Sequence, residues 1–351
     1  MSHNVHKISV RADEQFDELK LSDFLKGKLE GSENPLHVRQ FPGGKANLTY
    51  HLDYGSHEYV LRRPPLGPLA PTSHDMAREY SVLSVLHNIF PLAPKAYLFS
   101  DDESIVGAPF FIMNRHSGIV VRTNMPSEFA DKPHAGRQMS IALADALAEF
   151  HKVDYESLGL QSLGKPDGFI DRQIEGWSKR WEAAKHKDIW EMDEIYNWLN
   201  DHKPLSSEST LVHNDYKLDN IMLAANNPRK IEAIFDWDMC TLGDPLADLG
   251  SLLCYWIDPD DPDFFKQSAM MPLDNSFLTR RELVARYTKT SGRDVSNIRF
   301  YHALGLYRLV GIAAQIYIRY LKGQTQDKRF AMFGDMIPAI AQFALKIIQE
   351  R

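Results

Sequence analysis

The chain has 351 residues, 44% of them hydrophobic and 25% charged, with a formal net charge of -7. At roughly 150 residues per domain, this length suggests two domains or one large bilobed unit with an ordinary buried core. With 40 basic against 47 acidic residues the chain is no general polyanion binder. Nucleic acid is therefore not an expected partner, while a local basic pocket for a phosphorylated ligand stays open.

The N-terminal MSHNVHKISVRADEQF has no apolar block behind its basic residue and so gives no sign of a secretory signal. Residues 1–34 read as a polar tail and one amphipathic helix, with Phe16, Leu19, Phe24 and Leu25 apolar. Short strands follow at 36–41, 48–54 and 58–63, separated by Gly-Gly and Gly-Ser turns. The proline-rich PPLGPLAP (64–71) is a loop, because repeated proline stops helix and strand alike. In 74–90, Met76, Tyr80, Leu83, Leu86 and Phe90 recur at helical spacing. Strands at 95–100 and 109–115 complete a set of five, and Ser117-Gly118 reads as a hinge.

Beyond the hinge the pattern is helical. Met139, Leu143, Ala146, Leu147 and Phe150 predict one apolar face over 137–152, and further helices are expected at 170–186, 189–202, 245–256, 280–291, 298–321 and 329–349. A β-rich island, Thr210 to Trp237, interrupts them. Trp177, Trp181 and Trp190 read first as core, although Arg172, Lys179 and Arg180 beside them could meet an anionic acceptor. Cys240 and Cys254, in apolar surroundings, read as buried thiols rather than a disulfide or a zinc site. The longest apolar stretch, 249 to 257, falls short of the about 20 residues a membrane-spanning helix needs. A soluble cytoplasmic protein without a membrane partner is expected. DPDDPD (258–263) could attract a cation, but reads better as an Asp-Pro turn.

The chemistry concentrates in the island, which contains His213-x-Asp215-x-Lys217-x-x-Asn220, two apolar strands and then Asp236-Trp-Asp238. Magnesium takes oxygen ligands and only one or two protein side chains, with phosphate oxygens and water filling the rest. Asn220 and Asp236 can supply those ligands. Asp215 is then free to deprotonate an acceptor hydroxyl, and Lys217 can offset charge on a transferring phosphate. Taken alone, Gly43-Gly44 is a hairpin turn, and Arg62 and Glu79 could be a surface cation and a surface acid. Their order around the proline loop favours an ion pair, and the place of the glycines between two strands suits a phosphate lid. No Walker or dinucleotide glycine motif is present.

HNDYKLDN followed by FDWD resembles the phosphotransferase motif of the aminoglycoside phosphotransferase and choline kinase superfamily, which is related to protein kinases. FPGGKANLTY is similar to that family's nucleotide-covering hairpin, PFFIMNR to its hinge strand, and TLGDPLADLG to the segment after the metal-binding Asp. FIDRQIEGWSKRW resembles the subgroup associated with acyl-CoA dehydrogenases. The resemblance implies an α+β, bilobed protein-kinase-like fold. Residues 1–115 would form a small antiparallel-sheet nucleotide-binding lobe, and 116–351 a larger, mainly helical catalytic and acceptor-binding lobe, with the active site at the seam.

It also implies Asp215 as catalytic base with Lys217 beside it, and Asn220 and Asp236 as magnesium ligands with Asp238 as a secondary one. Gly43, Gly44, Asn47, Arg62, Glu79 and Met113 would bind nucleotide, with adenine on the 110–115 segment. His213 and Asp248 would brace the catalytic loop. Two positions depart from the family pattern: Arg62, or its neighbour Arg63, replaces a lysine, and Ala46 replaces a serine. Guanidinium is not a geometric substitute for ammonium. The expected function is Mg·ATP-dependent phosphorylation of a hydroxyl on a small molecule, for which the subgroup implies a hydroxyacyl thioester or related alcohol. The rivals are an aminoglycoside or amino-alcohol kinase, a nucleotide-binding pseudokinase with a regulatory role and, less favoured, a metal-dependent hydrolase. The sequence leaves the oligomeric state open.

Overall fold

A computed structural model describes residues 7–42, 47–65, 75–205, 208–325 and 327–350. In chain order its elements begin with α1 (Glu18–Leu25), β1 (His37–Gln40), β2 (Leu48–Asp53), β3 (Glu58–Arg63) and α2 (Met76–Leu86). Next come β4 (Ala96–Ser100), α3 (Glu103–Val106), β5 (Phe110–Asn114), β6 (Ile119–Val120) and α4 (Ser127–Ala130). The middle of the chain forms α5 (Ala135–Phe150), α6 (Phe169–Ala184), α7 (Trp190–Asp201), β7 (Thr210–Val212), β8 (Ile221–Ala224) and β9 (Asn227–Ile234). The last stretch holds β10 (Thr241–Gly243), α8 (Pro245–Tyr255), α9 (Asp263–Gln267), α10 (Arg280–Ser291), α11 (Ile298–Leu321) and α12 (Phe333–Gln349).

These elements form two compact units. The first takes in the described residues through Val121, then Pro126–Asp131 and Asn220–Cys240; the second takes in Arg122–Met125, Lys132–Asp219 and the described residues from Thr241 onward. The chain thus crosses between units more than once, and not only after residue 115.

The first unit is built on a five-stranded antiparallel sheet in the order β1-β2-β3-β5-β4. Alternate residues share one face of a strand. Tyr50 and Leu52, Tyr59 and Leu61, and Phe110 and Ile112 accordingly form a single core with Leu21 and Leu25 of α1. Asp17 starts α1 by accepting hydrogen bonds from the Leu19 and Lys20 N–H groups. α2 packs on β4 and β5 and buries Met76, Glu79, Val82, Leu83 and Leu86 along one helical stripe. A second sheet, ordered β6-β8-β9, completes this unit. The island is therefore divided: β7 pairs with β10 in the second unit, while the β8–β9 hairpin belongs to the first.

The second unit is helical around α11, which packs on α6, α7, α8 and α12, while α5 packs on α10. Gly250 makes the α8–α11 approach possible, because a Cβ there would run into the Tyr301 carbonyl. Residues Lys328–Gln349 form one helical stretch, 22 residues long, apolar enough to cross a membrane by length and composition. The expectation from the 249–257 stretch overlooked it, since Asp335 and Lys346 interrupt the apolar run. Here the stretch buries Ile337, Ile340, Ala341, Phe343, Ala344 and Ile347, with α11 and α7 as its packing neighbours.

Candidate active site

In the first unit the chemistry gathers where the β8–β9 hairpin closes. Ile221 pairs with Ile234, and the Phe235 N–H donates to the Asn220 carbonyl at 2.9 Å. This closure brings Asn220 and Asp236 to the same open end of the hairpin. Asp236 takes a left-handed backbone conformation (φ 69°) that non-glycine residues seldom adopt, as the chain turns sharply into the 3-10 turn Trp237–Met239. Asp238 lies in that turn, which packs on α2.

The register of β3 decides between the two arginines. Adjacent strand residues point to opposite faces. Arg63 goes into the core, donating to the Tyr50 hydroxyl at 2.7 Å and to the Val106 carbonyl. Arg62 faces α2, with its Nε 2.9 Å from Glu79 Oε2 and its Nη2 on Asp236 Oδ1. It therefore bridges the helix acid and the hairpin-end carboxylate, and Glu79 also accepts from the Trp237 N–H. Burial opposes the charge of Arg62, but Glu79, Asp236 and Asp238 outweigh it and hold its pKa above the ordinary value. Burial pushes Glu79 up to about 8, against the pull of Arg62.

In the second unit the loop after β7 is fixed by its backbone. Asp248 of α8 is fully buried, and its two carboxylate oxygens accept from the His213 and Asn214 N–H groups at 2.6 Å each. His151, which caps the C-terminal end of α5, touches the same carboxylate at 3.3 Å and bonds the Tyr287 hydroxyl of α10 at 2.8 Å. Asn214 adopts φ 64°, and the Asp215 N–H reaches His213 Nδ1. Lys217 Nζ then holds both oxygens of Asp215, at 2.8 and 2.6 Å, and sits 5.3 Å from the Tyr255 ring. Burial would lower the Lys217 pKa, but the neighbouring Asp215 more than offsets this and keeps the ammonium charged.

The expected residues are thus placed as follows. Arg62, Glu79, Asn220, Asp236 and Asp238 belong to the first unit, and Asp215 and Lys217 to the second. Asn47 is buried just ahead of β2, and Met113 lies inside the ladder opposite Val60 and Ala96. Gly43, Gly44 and Ala46 fall outside the described residues. His213 and Asp248 brace the loop as expected. His151 and Tyr287, which extend that brace, escaped sequence reading because they come from distant helices.

Two further groups were also missed. The Asp219 Oδ1 atom is buried without a hydrogen-bond partner among the described residues, and burial raises this carboxyl against the pull of Lys217. His116 follows β5 directly, and its buried Nε2 likewise has no partner among the described residues.

One amide oxygen and two carboxylates in Asn220, Asp236 and Asp238 form a hard, all-oxygen donor set that suits magnesium better than zinc or copper. Another grouping of donors, His51, Asp53 and Glu58, is already met by a cation: Lys7 Nζ lies 3.1 and 3.2 Å from the His51 ring nitrogens.

The sequence profile described as the phosphotransferase enzyme family matches residues 37–281. Acyl-CoA dehydrogenase family member 11 of Gallus gallus is 32% identical over 348 residues, covering 96% of this chain but only 44% of the relative. The chain therefore spans less than half the length of that curated relative. A Ralstonia eutropha protein classed with the aminoglycoside phosphotransferases superposes with a TM-score of 0.81 at 28% identity, covering 95% of this chain and 99% of that one. Choline kinase from Cryptosporidium parvum superposes with a TM-score of 0.64 at 11% identity, over 94% of this chain and 96% of that one, a likeness of fold alone. The α+β architecture is that of the protein-kinase-like phosphotransferases, as the resemblance implied.

Proposed function

We propose, from the premise that the chain belongs to the phosphotransferase enzyme family, that it transfers the terminal phosphoryl group of ATP to a hydroxyl of a small molecule. The observation that carries this reading is the separation of roles within one short segment. Asp215 is held by Lys217 on a braced loop, while Asn220 and Asp236 meet at the end of a hairpin. A base must stay clear of the metal if it is to take a proton, and the two roles fall to different residues on different elements.

In the proposed reaction the acceptor hydroxyl gives its proton to the Asp215 carboxylate as its oxygen bonds to the terminal phosphorus. The bond from that phosphorus to the bridging oxygen breaks, and ADP leaves. Lys217, charged and adjacent, follows the negative charge onto the transferring group. Asn220 and Asp236, with Asp238 close by, would hold magnesium, which when bound neutralises charge on the phosphate oxygens. Arg62, fixed by Glu79, would bind the phosphates, and the segment from Met113 to His116 would receive the base. Asp248 keeps the Asp215 loop rigid, so that positioning supplies much of the rate. For the acceptor, a hydroxyacyl thioester or related alcohol is the first candidate, by analogy with the acyl-CoA dehydrogenase relative. Amino alcohols and aminoglycosides come second.

The test is Asp215→Asn. We expect turnover with a phosphorylated acceptor to fall by on the order of 10²–10⁴, the usual worth of a positioned base, with ATP binding retained. Near-normal turnover would sink the assignment. One observation favours a different reading, a nucleotide-binding regulator: Arg62 already meets Asp236. ATP binding with neither transfer nor hydrolysis, across an alcohol library with magnesium, would decide for the regulator.

A further inference from the structure

Helix α8 carries both Asp248 and Tyr255. Residues seven apart fall on one face of a helix, two turns from each other. The helix that fixes the catalytic loop through Asp248 therefore also brings Tyr255 to that loop, where the Lys217 ammonium lies 5.3 Å from its ring centre. Burial, and after it the charge of Asp215, pushes the Tyr255 phenol up to about 12. The ring stays neutral beside the Lys217–Asp215 pair.

Tyr255 is at the same time one wall of a slot of about 60 Å³ in the second unit. Phe265 of α9, Leu309 of α11, Met336 and Ile340 of α12, and Met270 form other walls. The polar atoms of two further wall residues are engaged by the backbone: the Cys254 thiol donates to the Gly250 carbonyl at 3.2 Å, and the Ser268 hydroxyl to the Phe264 carbonyl at 2.8 Å. Burial pushes the thiol up to about 12, so it brings no charge. Met270 is 40% exposed and Tyr255 half-buried, which leaves the slot open to solvent at these residues. Covering such surface with an alkyl chain is favourable, whereas a polar group there would lose its water and gain no partner. Thioether walls adapt to the shape of what enters. The volume admits no sugar ring; it holds about two groups of methylene size, taking the ~30 Å³ share of a water molecule as the measure of each.

We propose that this slot holds the apolar arm of the phosphate acceptor, whose hydroxyl lies at Asp215 across the Tyr255 ring. The slot then selects acceptors by the length of that arm and by its lack of polar groups. The proposal rests on the phosphotransfer reading and adds to it the polarity and reach of the substrate. Phe265, Met270 and Met336 become specificity-determining residues. Amino alcohols and aminoglycosides, polar along their length, are then poor acceptors.

The test offers the full chain ATP, magnesium and a chain-length series of straight-chain hydroxyacids, free and as thioesters. Matched acceptors whose terminal methyl is replaced by a hydroxyl or an ammonium complete the set. Over the lengths that fill the slot we expect kcat/KM to rise about fourfold per methylene and then to level off. A polar end group should lower kcat/KM about tenfold or more against its methyl-ended match. Ala269→Leu narrows the slot and should move the plateau to shorter chains, whereas Met336→Ala deepens it and should move the plateau to longer ones. Damage to the fold would lower all lengths together and could not shift the two variants in opposite directions.

A flat length profile, a preference for the polar-ended acceptors, or a plateau that fails to move oppositely in the two variants overturns the proposal. Calorimetric binding of the same hydroxyacids without ATP separates the two levels of inference. If none is phosphorylated but affinity rises with length and shifts oppositely in Ala269→Leu and Met336→Ala, the phosphotransfer reading fails and the slot stands. If all are phosphorylated at rates blind to length, the phosphotransfer reading stands and the slot fails. Neither binding nor transfer at any length sinks both.

Discussion

Arg62→Met isolates the ion pair that organises the first unit. The Arg62 side chain is 10% exposed and that of Glu79 2% exposed, and their charged atoms lie 2.9 Å apart. Above the Glu79 pKa of about 8, at pH 9 and an effective dielectric constant of about 20, two unit charges at that distance attract by about 6 kcal/mol. Desolvation of both groups offsets roughly half of this, and the partly exposed Asp236 contact adds little. Removing the cation leaves Glu79 buried with its main partner gone, a change that typically costs about 3–5 kcal/mol. We expect Arg62→Met to destabilise the first unit by about 3 kcal/mol, and Arg62→Met with Glu79→Leu to recover most of that loss. An apolar pair of similar volume carries no unmatched charge. The assay is urea denaturation followed by tryptophan fluorescence, with Trp237, 1% exposed in this unit, among the reporters. A coupling below about 0.5 kcal/mol between the two substitutions would refute the reasoning, because independent sites add within that margin.

Two further perturbations test other parts of the molecule. In Asp248→Asn one carboxylate oxygen that accepts a backbone N–H at 2.6 Å becomes a donor facing a donor. We expect a loss of about 2–4 kcal/mol in urea titrations and at least about tenfold slower transfer; an unchanged midpoint would show that the loop does not depend on this brace. The buried His302 concerns pH. Burial, with Arg280 as a second cause, lowers its pKa to about 3. The unfolded chain therefore takes up a proton below about pH 6.5 that the folded chain refuses. The contribution of His302 is fully present above that pH and erodes as pH falls towards 3, by at most about 1.4 kcal/mol per unit. His302→Met should flatten the stability curve between pH 6.5 and 4, and an identical slope in both proteins would rule the mechanism out.

Much of this was legible in the sequence because the signals were local. The stripe Met76, Leu83, Leu86 predicts α2, and the alternation in EYVLRR predicts β3. The spacing of Asp215, Lys217, Asn220 and Asp236 carries the chemistry because turn and hairpin lengths are short enough to be set by the chain itself. What was not legible depends on tertiary register. Whether Arg62 or Arg63 faces α2 is decided by pairing with β2 and β5, and a slip of one residue would reverse it. His151 and Tyr287 join the Asp248 brace from the end of α5 and from α10, far away in sequence.

The membership of Asn220–Cys240 in the first unit has a consequence for how the protein is made. Arg62 and Asp236 are 174 positions apart, and β6 finds its partner strand only at Ile221–Ala224. An emerging chain that has reached Val121 holds the five-stranded sheet and α2 but lacks the hairpin that caps Glu79 and pairs β6. The ribosome must deliver roughly another hundred residues before that surface is closed, and non-local pairings of this kind are slow to form. A fragment cut after residue 115 would inherit the same unfinished face. Expression of the N-terminal piece alone should therefore give an aggregation-prone product, whereas adding the hairpin in trans, as a peptide spanning Asn220–Cys240, would be the natural route to rescue it.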